Sequence, residues 1–137
     1  MALFRRKRQE IRLTTAGAAL AEGWNGFPWG ASLSSFRDRY PSAHLTDSGW
    51  WQTGEAPEPF CGVPMSISQY AFNDRDELST VAFIPEPENR ARLSVAAVNE
   101  LGAPDGMDLL WTFGDAVAEV KLAGVVATLT HPAYADR

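Results

Sequence analysis

Chemistry in this chain would have to come from one cysteine, two histidines and carboxylates gathered in short polar segments. Cys61 sits in Pro59-Phe60-Cys61-Gly62. A nucleophilic thiolate needs a positive neighbourhood, and the charges nearest in sequence are Glu55 and Glu58. The residue therefore reads as a small side chain in a loop. His44 and His131 stand far apart, so a zinc site would need further ligands from distant segments, and no metal is expected. Asp74, Asp76 and Glu77, or Asp105 and Asp108, could pair for acid–base work of the glycosidase kind. No apolar residues surround them to raise a pKa, and solvated turns account for them. The chain holds no Gly-x-Ser-x-Gly elbow, no P-loop and no Gly-x-Gly-x-x-Gly. These residues predict neither catalysis nor a cofactor.

What remains is recognition. Acidic side chains gather in predicted loops: Glu55 and Glu58, then Asp74, Asp76 and Glu77, then Glu86 and Glu88, then Asp105 and Asp108. The chain also has 5 tryptophans, a residue type enriched at interface hot spots and equally at home in cores. Trp29 and Trp111 are assigned to the core. Trp50 and Trp51 are adjacent, and on a strand they cannot both point inward, so one is expected to be exposed or covered by a loop. Asp74, Asp76, Glu77, Glu55, Glu58, Trp50 and Trp51 are the candidate partner-binding residues.

Charge narrows the partner. The sequence carries 12 Lys and Arg against 17 Asp and Glu. Residues 1–12 hold five of those bases and one acid, a net of +4, which leaves −9 on residues 13–137. A basic arm thus precedes an acidic body. An acidic body attracts basic partners and repels nucleic acid and anionic membranes. Residues 1–22 read as a flexible arm able to dock on something acidic, and residues 23–137 as a single domain of ordinary size. No run of about 18 apolar residues is present, so no membrane span is expected. Polar residues such as Gln9, Glu10 and Arg12 interrupt what an export signal would need as its apolar stretch. With a single cysteine, no internal disulfide can form, which fits a reducing cytoplasm.

Spacing defines the helices and strands that carry these residues. Residues 23–31, with three aromatics between glycines and a proline, predict a loop that pins its rings into the core. Ser32 suits an N-cap, and Leu33, Phe36 and Tyr40 share a helical face that Pro41 ends. Trp50-Trp51 could form a short strand. Val63 to Phe72 alternates, with Met65, Ile67, Gln69 and Ala71 on one face and Ser66, Ser68, Tyr70 and Phe72 on the other. The polar turn Asn73–Glu77 leads to a second strand, Leu78 to Ile84, ended by Pro85. Pro87 opens a helix whose apolar face is Ala91, Val95, Val98 and Leu101, closed by Gly102 and Pro104. Leu109 to Phe113, Ala116 to Leu122 and Val125 to Leu129 make a final meander, with turns at Gly114-Asp115 and Ala123-Gly124. The order predicts an α+β fold of two tandem α-β-β-β units, about residues 32–84 and 87–130, with helices on one face of an antiparallel sheet.

The segment Phe27-Pro28-Trp29-Gly30-Ala31-Ser32-Leu33, followed by Phe36 and Tyr40-Pro41, resembles the opening of small bacterial α+β proteins with tandem helix-plus-sheet units. The β-lactamase-inhibitor-protein and outer-membrane-assembly lipoprotein folds are of that kind. It is also similar to immunity proteins that neutralise secreted polymorphic toxins. The chain departs from the lipoprotein pattern in lacking a cysteine near its N-terminus, and from the inhibitor pattern in lacking disulfides. The resemblance implies a non-catalytic cytoplasmic binding protein whose partner is a basic toxin or another secreted effector. A secretion chaperone or adaptor, or a small-molecule-binding protein, would fit the same pattern.

Overall fold

Strands β5 (Met65–Phe72) and β6 (Leu78–Pro85) form the central hairpin of the molecule. The computed structural model describes residues 20–54, 57–104, 110–113, 116–121 and 126–135. Ahead of the hairpin lie β1 (Gly23–Trp24), β2 (Phe27–Pro28), α1 (Leu33–Arg39), β3 (His44–Leu45) and β4 (Trp51–Gln52). Behind it lie a 3₁₀ turn (Pro87–Arg92), α2 (Leu93–Leu101), β7 (Leu110–Phe113), β8 (Ala116–Lys121) and β9 (Val126–Thr130). Strands β3 to β9 build one antiparallel sheet in the order β3-β4-β5-β6-β9-β8-β7, while β1 and β2 pair separately. The fold is α+β. Helix α1 is followed by four sheet strands and α2 by three, and the two meanders join where β6 pairs with β9. The turns expected at Gly114-Asp115 and Ala123-Gly124 lie outside the described residues.

One face of the sheet makes the core. Ser68, Phe83 and Ala127 stand in register across β5, β6 and β9, as do Tyr70, Val81 and Leu129. All six are buried. Phe36 of α1 packs on Tyr70 and Phe72, with ring centroids 4.7 and 5.3 Å apart. Leu93, Ala97 and Leu101 of α2 join the same cluster, so both helices cover this face. The opposite face carries Gln52, Gln69, Thr80, Thr128 and Thr130, all half-buried; Gln69 Nε2 donates to Gln52 Oε1 at 3.0 Å. An antiparallel sheet commonly keeps one such solvated polar face.

Two bulges decide which residues reach the core. Between Met65 and Ile67 the register gains a residue on β5, which moves buried Met65 onto the face of Ser68 and Tyr70. Between Ala71 and Phe72 the extra residue is on β6. It is Ser79, buried, whose hydroxyl donates to the Ala71 carbonyl at 3.2 Å. That second bulge leaves Leu78 inside.

The aromatic segment before α1 is a small hairpin. Phe27 and Trp29 are buried, and Trp29 Nε1 donates to the Leu20 carbonyl at 3.0 Å. Leu20 itself is buried and Ala21 packs on the core. Residues 20 and 21, which precede the 22/23 boundary read from composition, thus pack with the body. The Ser32 side chain caps α1 through the Ser35 amide, as expected from its type.

The apolar face of α2 differs from the expected one. Leu93, Ala97 and Leu101 are buried, whereas Ala91 and Val98 are exposed and Val95 is 61% exposed. Gly102 ends the helix with φ of 91°, the left-handed region where a side chain would be strained.

Candidate functional site

The loop between β5 and β6 is organised by Asn73. Its Oδ1 accepts from the amides of Arg75 and Glu77 at 2.9 and 3.0 Å. Its Nδ2 donates to Glu77 Oε1 at 2.9 Å and to the Tyr134 carbonyl at 3.1 Å. Asn suits this position because its short amide can satisfy its own loop's backbone. Arg75 Nε pairs with Glu77 Oε1 at 3.0 Å. The two hydrogen bonds, from Asn73 and then Arg75, and the Arg75 charge hold the Glu77 carboxyl below its ordinary value. The loop is also tied to the segment entering α1: Leu33 N donates to the Asp76 carbonyl at 2.8 Å and Leu78 N to that of Ala31 at 2.8 Å. From the other side Tyr134 leans on Gly30, where φ is 87° and a Cβ would meet the ring at 2.7 Å.

This frame leaves Asp74 and Asp76 exposed, while Glu77 is half-buried and turned inward to Asn73 and Arg75. Asp76 shares a surface concavity of about 440 Å³ with Leu33, Arg37 and Asp38 of α1. Asp38 is thus an acidic neighbour that grouping by sequence missed, since helix and loop meet only through the fold. The Arg37 guanidinium lies 5.3 Å from the Trp51 ring centre. Trp51, opposite Tyr70 in register, packs against the core, while Trp50, half-buried, precedes the strand. Trp29 is in the core; the side chain of Trp111 and the whole of Glu55 lie outside the described residues.

Glu58 belongs elsewhere. It is exposed at a polar pocket of about 130 Å³ lined also by Asn25, Arg39, Tyr40, Thr53, Pro57, Ser68 and Tyr70. Asn25, held at φ of 52° in the β1–β2 turn, donates to the Tyr40 hydroxyl at 2.8 Å. The Arg39 guanidinium lies over the Phe27 and Tyr40 rings, at 5.3 and 5.6 Å from their centres. Burial above all, and then the neighbouring Tyr40, push the Tyr70 phenol well above its ordinary value, so it stays a neutral hydroxyl at any physiological pH. Ser68 Oγ and Trp24 Nε1 are buried without a hydrogen-bond partner. Each such group costs about 1–3 kcal/mol.

The remaining chemical candidates are accounted for locally. Cys61 sits at φ of 53° in the turn from Phe60 to Val63. Burial, with a smaller contribution from Glu100, pushes its thiol up to about 12, the wrong direction for a nucleophile. His131 accepts from the Ala133 amide at 3.2 Å and packs its ring between Trp29 and Tyr134. His44 is exposed on β3, at the sheet edge. Among the described residues no three His, Cys, Asp or Glu side chains gather for a metal ion, and no helix is long and apolar enough to cross a membrane.

Comparison with known proteins gives no match: no family model, no curated protein and no solved structure is similar to this chain.

Proposed function

We propose that this chain is a non-catalytic binding protein, and specifically a cytoplasmic immunity protein that neutralises a basic bacterial toxin. The observation that carries the reading is the Asn73–Glu77 loop: its backbone is fixed from three sides while Asp74 and Asp76 face solvent, Asp76 beside Asp38 and Arg37. A preorganised acidic surface loses little conformational freedom on binding. Complementary charge accelerates encounter with a basic partner. The net charge of −9 beyond residue 12 extends that field over the whole body.

The test has two stages. Affinity capture from the native host should return a stoichiometric basic protein, released by high salt and toxic when expressed alone. With that partner in hand, the double variant Asp74→Lys, Asp76→Lys should slow association at low salt by about 10-fold or more and change dissociation less. An unchanged association rate would remove the loop from the interface. Capture of extended or unfolded clients by a self-associated chain would replace the immunity reading with a secretion chaperone.

A further inference from the structure

We propose that Asn25-Gly26 is a modification site that the fold keeps latched: Asn25 deamidates only when the β1–β2 hairpin opens, and the isoaspartate it leaves keeps that hairpin from closing again. The chemistry comes from the pair itself. The Gly26 nitrogen attacks the side-chain carbonyl carbon of Asn25 and a C–N bond forms. The bond to Nδ2 breaks, and ammonia leaves with the proton of the Gly26 amide. Water then opens the cyclic imide at one carbonyl or the other, giving aspartate or isoaspartate. Glycine in second place hinders the attack least. Asn73, Asn89 and Asn99 are followed by Asp74, Arg90 and Glu100, so Asn25-Gly26 is the one such pair in the sequence.

The fold calls for this labile pair. The register Trp24↔Phe27 leaves two residues for the loop, and Asn25 and Gly26 hold φ of 52° and 86°. Those values belong to a type I′ turn, which strongly prefers Asn-Gly. A Cβ at Gly26 would also stand 2.9 Å from Arg39 Nη1, so a side chain there would push the guanidinium aside.

The same turn holds the reacting atoms apart. The imide can close only when the Cα–Cβ bond of Asn25 and the Gly26 nitrogen eclipse one another. In a type I′ turn ψ of the first residue is about +30°, which sets them nearly opposite. A second restraint acts on the amide. Nδ2 donates to the Tyr40 hydroxyl at 2.8 Å, and Tyr40 is itself buried against Phe27, Phe36 and Tyr70. Attack therefore waits for a local opening that releases both the turn and this hydrogen bond.

The product matters to the core. Isoaspartate carries the main chain through the former side chain and lengthens it by one carbon, so a two-residue turn no longer fits between Trp24 and Phe27. The Trp24 ring stands edge-on to Phe83 at 4.6 Å, and the Phe27 ring lies 5.7 Å from Phe36. An opening recorded in this way becomes permanent. The site is independent of the toxin reading and stands or falls separately from it.

The experiment incubates the full chain at mildly alkaline pH, natively and in guanidinium chloride. Peptide mapping by mass spectrometry follows position 25 and separates aspartate from isoaspartate. Conversion in denaturant should exceed native conversion by about 10-fold or more, a ratio that reads the opening equilibrium. Tyr40→Phe, which removes the anchor of the amide, should speed native conversion. Leu93→Ala, which lowers global stability from α2, should change it much less. The isoaspartyl protein, separated by its added negative charge, should melt several degrees below the parent. Asn25→Asp, with the charge but an unlengthened chain, should melt close to the parent. Equal rates with and without denaturant would overturn the latch, and no conversion in denaturant would overturn the site. Equal acceleration by Leu93→Ala and Tyr40→Phe would replace hairpin opening with global unfolding as the gate. An isoaspartyl protein that melts like the parent would overturn the lasting effect on the hairpin.

Discussion

Cys61 and Glu77 show how local surroundings decide the chemistry of a residue type. The Cys61 thiol, pushed up to about 12 mainly by burial, leaves roughly one thiol in ten thousand ionised at pH 8. Iodoacetamide should therefore modify the folded protein far more slowly than a free thiol, and unfolding should restore the ordinary rate; rapid labelling of native protein would contradict the raised value of this half-buried thiol. Glu77 runs the other way. Its folded value lies below the ordinary 4.5 through Asn73 and Arg75. The stability it confers is in place above 4.5 and is lost as pH falls through the folded value. Thermal melts of wild type and Glu77→Gln should differ most at neutral pH and converge in acid; a constant gap would argue against the charge as the cause.

At the scale of elements, α2 supplies the sharpest test. Leu93→Ala should cost about 2–4 kcal/mol through an emptied core site, whereas Val95→Ser, at an exposed position, should stay within about 0.5 kcal/mol. Chemical unfolding of both variants checks the pair. The expected face was wrong in two places. Ala91 falls in the 3₁₀ turn Pro87–Arg92, ahead of the α-helix. Within α2 the buried stripe is Leu93, Ala97 and Leu101, spaced i, i+4, i+8, and the apolar Val95 and Val98 offered a competing stripe that also ends at Leu101. Strand alternation exposed β5, β6 and the loop between them to inspection, because period two is unambiguous over eight residues. The bulges at Met65 and Ser79 were not legible, since an inserted residue leaves the alternation of residue types looking regular on both sides. The acidic loop could be read from residue type alone. The pocket at Ser68 could not, because Asn25, Arg39, Glu58 and Tyr70 come from four separated segments.

Across the whole molecule, Leu20 is the earliest described residue and already part of the core. A chain starting at Leu20 should be more stable than one starting at Gly23 by about 2–3 kcal/mol, from the buried leucine and the hydrogen bond its carbonyl accepts from Trp29. Equal melting temperatures would show that residues 20–22 contribute nothing to the body. The same reasoning applies at the far end. Asn73 donates to the Tyr134 carbonyl across 61 residues of sequence, and Tyr134 is also the ring that closes over Gly30. A ribosome delivers residue 73 long before residue 134. For that interval the nascent chain carries the acidic loop with one of its three anchors missing, and the aromatic segment before α1 is uncovered. The frame of the loop is therefore closed last in synthesis order: Asn73 gains its Tyr134 anchor only after every segment between them has been made.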